Sequence, residues 1–414
     1  MTPADKALKE LFQAEFTKMV AVIGRYFGLQ HLEAAEDVVG ETFLLATQTW
    51  TTTGLPPNPA AWLYAVAKQK SLLLLRREKL YEQKILPELA ARQDRQQASF
   101  ELNFSPQSIR DSQLQMLFAI CTPAIASEAQ MGLALRILCG FGIEEIAEAF
   151  FSTKEAINKR LFRAREKLRA AHISLELPDD ANIARRLDSV LHVLYLLFSE
   201  GYYSKTQNQI LRQDLCREAL RLGLLLTEYA PTNQPKTNAL LALMCFHASR
   251  FGARLAGGAA PVLYEQQDEA LWDHELIQQG TRFLLRSAEG TAVSSYHLEA
   301  RIACWHCQKA DTAEKWEEIL QLYNQLLLLN YSPSVALNRT FALYKANGAA
   351  VALVEAEKLR LEDNHFYFLL LGELYQEMAS PRALPSFERA YALAKTPAEK
   401  AGIQQRIDSL THPQ

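Results

Sequence analysis

Gly142–Arg169, GIEEIAEAFFSTKEAINKRLFRAREKLR, decides how this chain is read. Ile146 and Ala147 fit the inner side of a short helix, Glu144–Phe150. Phe151–Thr153 leaves room only for a tight connection. Ser152 or Thr153 can cap a longer helix that begins at Lys154, by accepting from its first free N–H groups. Along that helix Ala156, Ile157, Leu161 and Leu168 form an apolar stripe. Two helices joined in this way form a helix-turn-helix, whose second helix enters a DNA major groove. From Lys154 to Arg169 there are seven basic residues (Lys154, Lys159, Arg160, Arg163, Arg165, Lys167, Arg169) against Glu155 and Glu166, a local excess of five. Phosphates attract such a helix. Asn158, Lys159 and Arg163, with Lys154, are placed to face the groove, and Arg160 and Arg165 lie nearer phosphates. Most charge runs are solvated faces; the position directly after a turn favours DNA here.

Towards the N-terminus a second basic segment appears, NPAAWLYAVAKQKSLLLLRREK, Asn58–Lys79. Trp62, Tyr64 and Val66 precede Lys68, Lys70, Arg76, Arg77 and Lys79, with Glu78 the single acid. Aromatic rings beside cations suit an unpaired nucleic-acid strand, because rings stack on bases and cations track the backbone. Trp62 by itself reads as core. Further upstream, Glu36–Phe43 (EDVVGETF) sets Asp37 and Glu41 one helical turn apart. Asp37, Glu41 and Phe43, with Leu44, are expected on one exposed edge that a protein partner could grip.

Three segments in this order and spacing resemble the extracytoplasmic-function sigma factors of the sigma-70 family, over residues 10–82 and 108–170. EDVVGETFLLATQTW is similar to the region that docks on the clamp helices of RNA polymerase. The segment from Asn58 is similar to the −10-binding region, and the helix-turn-helix to the −35-binding region. The resemblance implies core RNA polymerase and promoter DNA as partners and no enzymatic activity. It implies polymerase contacts from Asp37, Glu41, Phe43 and Leu44. Contacts at −10 would come from Asn58, Lys68, Lys70, Arg76 and Arg77. Gly40 stands where the family often has Gln, and Leu73 and Leu74 where Asp and Arg are usual, so Leu72–Leu75 is unusually apolar. Beyond the helix-turn-helix, segments such as VLHVLYLLFSEGYYS, YEQQDEALWDHELIQQG and SPSVALNR are similar to a subgroup with a long helical extension carrying tetratricopeptide-like repeats. In that subgroup the extension is thought to control activity.

Nearly every segment has helical spacing and no alternating strand pattern stands out, so the expected class is all-α. The 414 residues, 49% of them hydrophobic, suffice for about two to four domains. The boundaries read as 1–82, a linker over 83–105, the helix-turn-helix domain over 106–174, a helical domain over 182–286 and repeats over 290–414. Thr51–Pro59 and Gly252–Pro261 read as loops. Phe368, Leu371, Gly372, Tyr375, Ala383, Phe387, Ala390 and Pro397 approximate one tetratricopeptide repeat, which with its preceding helices suggests a solenoid-like stack able to hold a protein or peptide partner.

The net charge of −3 places any nucleic-acid role in local patches. Six cysteines in apolar helical stretches suit reduced thiols. No basic-then-apolar leader and no long apolar run is visible, so a cytoplasmic protein without membrane contact is expected. Cys304–Cys307 is a lone CxxC inside a helical pattern, too little for a zinc site; no metal and no cofactor is expected. Tyr202 and Tyr203 read as packing residues. Two other readings stay open: a dimeric helix-turn-helix regulator, and a tetratricopeptide scaffold with no DNA role.

Overall fold

The computed structural model describes residues 3–85, 102–150, 152–202, 212–257, 262 and 264–411. The described residues are all-helical, with no strand among them. The chain divides into two compact units, Met1–Leu194 and Tyr195–Gln414. Most of the expected linker, residues 86–101, lies outside the described residues, as do Phe151, Tyr203 and residues 258–261.

Unit 1 is built around α1 (Pro3–Phe27). Met19, Val20, Ala21, Val22 and Ile23 are fully buried, so this stretch of the helix is apolar on every side and is surrounded. Its neighbours are α2 (Leu32–Thr53), α3 (Pro59–Ile85), α4 (Pro106–Ile120) and a π-helical segment, Ala134–Leu138. Gly24 permits the close approach of α4: a Cβ there would stand 3.0 Å from Met116 Cε. The π segment follows α5 (Ser127–Leu133). After it come α6 (Ile143–Ala149), α7 (Lys154–Ala170) and the first part of α8 (Asp180–Tyr202), the helix in which unit 1 ends.

The loop expected from Thr51 begins later. Helix α2 continues to Thr53 and stops at Gly54, whose φ of 79° ends the helical path. The hydroxyls of Thr52 and Thr53 both donate to Thr49 O at 2.9 Å, which satisfies polar groups in the last turn. Asn58 then opens α3, its Oδ1 accepting from Ala61 N at 3.1 Å. Gly252, expected in a loop, lies in the short helix α11 (Phe251–Leu255).

In unit 2, α9 (Gln213–Leu225) leads to α10 (Pro235–Ala248), which is buried over nearly its whole surface. It packs on α12 (His274–Ser287) and α13 (Ser295–Trp305). From α13 onward each helix packs on the next: α14 (Ala313–Leu329), α15 (Pro333–Asn347), α16 (Ala349–Leu359), α17 (His365–Glu377), α18 (Ala383–Leu393) and α19 (Pro397–Thr411). This is the solenoid-like succession that the repeat pattern implied. Gly372 is its tightest point. A Cβ at Gly372 would come within 2.6 Å of the fully buried Phe387 ring, so only glycine lets α17 and α18 meet there.

Candidate nucleic-acid interface

The helix-turn-helix forms from local signals. At the start of α6, Glu145 accepts the Gly142 N–H at 2.6 Å, which ties down a free helix end. Thr153 caps α7 by accepting from Ala156 N at 3.2 Å. Ile146, Ala147 and Ala149 on α6 are buried together with Ile157, Leu161, Ala164 and Leu168 on α7. The inner stripe therefore differs from the expected one at two positions: Ala164 is in it, and Ala156 is exposed in the first turn.

The outer face of α7 carries Asn158, Lys159 and Arg163, all exposed. Between them stands Phe162, 58% exposed, which the sequence reading passed over. Its position four residues after Asn158 and one after buried Leu161 already sets it on the outer face. An exposed ring flanked by an amide, a lysine and an arginine can touch a thymine methyl while its neighbours reach base edges.

Four of the five remaining cations of α7 have protein partners, and the fifth, Lys167, is exposed. Lys154 pairs with Glu144 across the turn. Arg160 lies 3.4 Å from Glu128 of α5. Arg165 makes two bonds to α2, to Glu33 at 3.1 Å and to Glu36 at 2.7 Å. Arg169 joins the same edge, 3.2 Å from Glu33, and also pairs with Glu166. Arg136 approaches the other oxygen of Glu36 at 3.3 Å. The Arg165 and Glu36 side chains are only 16% and 11% exposed, so this pair is far better shielded than an ordinary surface ion pair.

The −10 candidates on α3 are also partly engaged. Lys70 pairs with Glu41 of α2 at 2.7 Å. Lys68 is half-buried and Arg76 exposed. The Arg77 side chain lies outside the described residues. Asn58 is exposed, with its Oδ1 committed to the helix cap. Trp62 meets Trp50 edge-on at 5.3 Å. Tyr64 stacks on Phe104 at 4.8 Å and donates its hydroxyl to Glu15, so both rings face protein. Burial, then that carboxylate, pushes the Tyr64 phenol up.

On α2 the expected edge needs one correction. Asp37 and Glu41 are exposed, and Leu44 is 59% exposed. Phe43 is 5% exposed, its ring 5.0 Å from Phe12 and 6.2 Å from Phe16. It is a core residue, because α1 presents two phenylalanines to that side of α2. The edge that remains consists of Asp37, Glu41, Leu44 and Leu45, and a Cβ at Gly40 beside it would meet nothing within 4 Å. Leu73, 53% exposed, leaves part of the Leu72–Leu75 run open on α3.

The described cysteines are all free thiols; Cys121, Cys216 and Cys245 are buried, and Cys139, Cys304 and Cys307 partly so. Cys307 sits 3.9 Å from Ser249 Oγ. Among the described residues no helix is long and apolar enough to cross a membrane.

Comparison with known proteins adds a relative. The uncharacterized protein R00370 of Rhizobium meliloti (strain 1021) is 35% identical over 393 residues, 93% of this chain and 92% of that one. The chain belongs to that protein's family. The shared sequence covers nearly the whole of both proteins. Residues 186–288 also match a family of unknown function (DUF6596). That match begins after α7 and takes in α9, α10 and α12. No solved structure matches the chain.

Proposed function

We propose that this chain is an RNA polymerase sigma factor, without enzymatic activity of its own, that directs promoter recognition in the cytoplasm. The carrying observation is the outer face of α7, where Asn158, Lys159, Phe162 and Arg163 stand exposed together directly after a capped turn. In this reading α7 enters the −35 major groove. Phe162 adds an apolar contact to the three polar side chains. Arg160 and Arg165 turn to phosphates when their acidic partners let go. The α2 edge of Asp37, Glu41 and Leu44 meets the polymerase, with Leu45 in place of the buried Phe43. Arg76 and the partly engaged Lys68 and Lys70 support strand separation at −10.

Unit 1 as described holds α7 against α2 through Arg165 and Arg169. Binding to −10 and −35 elements together requires α7 to leave that position. The described arrangement is thus a closed state, and polymerase would select the open one. The helical stack of unit 2 serves control and partner binding.

Reconstitution with core polymerase tests the proposal. Promoter opening, read by permanganate reactivity of unpaired thymines, should appear only when this chain is added. Duplex binding as a dimer without polymerase would instead make the chain a conventional regulator. The absence of both would leave a scaffold.

A further inference from the structure

Unit 2 contains a group of buried polar side chains around Tyr264 that the reading above does not use. Arg250 is 6% exposed and Lys315 is 2% exposed. The Arg250 guanidinium lies 5.4 Å from the centre of the Tyr264 ring, and the Lys315 ammonium 5.3 Å. His306 meets the same ring edge-on at 5.2 Å, and Trp272 stacks over it at 6.4 Å. Gln267 joins through its backbone N–H, which donates to Tyr264 O at 3.2 Å.

Two cations this deep call for a carboxylate, since an uncompensated buried charge is costly. Among the described residues, Arg250 has no acidic partner, and its Nε is buried without a hydrogen bond. Lys315 donates to Tyr264 Oη at 3.0 Å and to Gln308 O, neither of them an anion. Two acids lie near: Asp311 is taken up by Trp316 Nε1 and by Lys345 at 2.7 Å, and Glu269, on the exposed side, acts on Lys315 and Tyr264 through its charge without a hydrogen bond to either cation. Trp272 Nε1, His306 Nδ1 and Gln267 Oε1 are also buried without partners. Burial and the two cations hold the His306 imidazole down to about 3, so the ring is neutral. Burial lowers the Lys315 ammonium as well. Buried polar groups are ordinarily paired, and here four unpaired ones and two deeply buried cations without a direct carboxylate contact surround one ring.

We infer that the Tyr264 cluster is a binding site for a small oxyanion, a carboxylate or phosphate group, received by Arg250, Lys315 and Trp272. Arg250 offers the planar fork that matches such a group, and Lys315 supplies a second charge. Trp272 Nε1 and the neutral His306 Nδ1 are the further hydrogen-bonding positions. Tyr264 is half-buried and Gln308 exposed, so the cluster reaches solvent on that side. The site would let unit 2 respond to an anionic small molecule, whatever unit 1 binds.

Calorimetry on the full chain tests this, with inorganic phosphate and acetate as probes against chloride at equal ionic strength. Saturable binding of one or both is expected, and which of them binds more tightly identifies the headgroup class. Arg250→Leu should weaken that binding about 30-fold or more, because it removes one side of a buried charged contact. Trp272→Phe keeps an aromatic ring against Tyr264 and removes one donor, so it should fold and bind about tenfold more weakly. Arg250→Leu should also unfold at a higher temperature than wild type without anion, since it removes an unpaired buried charge. Absence of saturable binding to both probes, or equal binding in wild type and Trp272→Phe, overturns the proposal. Promoter assays are not involved, so the sigma-factor reading stands or falls separately.

Discussion

Arg165 Nη2 and Glu36 Oε2 lie 2.7 Å apart although 129 positions separate them in the chain. This contact fastens α7, the helix proposed to read DNA, to α2, the helix proposed to dock on polymerase. Replacing Glu33 and Glu36 together by Gln should free Arg165 and Arg169. We expect duplex affinity to rise about 5- to 30-fold and unfolding free energy to fall by about 1–2 kcal/mol, as for a shielded but not fully buried pair. Fluorescence anisotropy and urea unfolding read the two effects. Lower stability with unchanged affinity would show that Arg165 is only structural.

Substitutions along α7 should separate into two kinds. Lys159→Ala and Arg163→Ala should each cost about 1–3 kcal/mol of specific binding and relax preference at one base pair. Phe162→Ala should act in the same way at a thymine. Arg160→Ala should weaken all duplexes alike. A binding-site selection with each variant distinguishes these outcomes, and uniform weakening by Phe162→Ala would remove it from the reading face.

Acid should loosen unit 2. His306 and His247 are both held neutral, first by burial and then by Arg250 close by. Their unfolded forms take up protons near the ordinary histidine range and their folded forms only well below it. The unfolded chain therefore binds more protons as pH falls, and stability rises with pH across that window. The contribution is complete above pH about 6.5 and shrinks towards pH 3. His306→Phe keeps the ring contacts to Tyr264 and Trp316. Its urea midpoint should change less between pH 5 and pH 7.5 than that of wild type, by about 1–2 kcal/mol in free energy. Parallel pH profiles would contradict this.

Two glycines of the stack should respond oppositely to the same change. Gly372→Ala drives a methyl group into Phe387 and should cost about 1–3 kcal/mol. Gly402→Ala, on α19, meets nothing within 4 Å and should stabilise by up to about 1 kcal/mol. Thermal unfolding of the two variants gives the order directly.

What the sequence made legible was local. The α6–α7 turn was readable because its cap, Thr153, acts within three residues of its target. The meeting of Gly372 and Phe387 was readable because small and large residues alternate at fixed spacing. Phe43 was misplaced because its burial depends on Phe12 and Phe16 of another helix. The loop was placed three residues early because it was read from Gly54 and the three prolines after it, whereas the threonines before that glycine turn their hydroxyls back onto their own helix. The engagement of Arg165 depends on two acids more than a hundred residues away, beyond any spacing rule.

Glu33 and Glu36 occupy the position that dissolved anions would take around free arginines. A promoter phosphate that captures Arg165 or Arg169 therefore displaces a tethered carboxylate in place of a mobile counter-ion. Cations condensed on the duplex are still released at those two contacts, but breaking the internal pairs takes back part of the electrostatic gain. Raising ionic strength also screens the internal pairs while it screens the duplex. A log–log plot of affinity against salt should consequently be flatter than the number of phosphates touched would suggest, and neutralising Glu33 and Glu36 should restore its steepness.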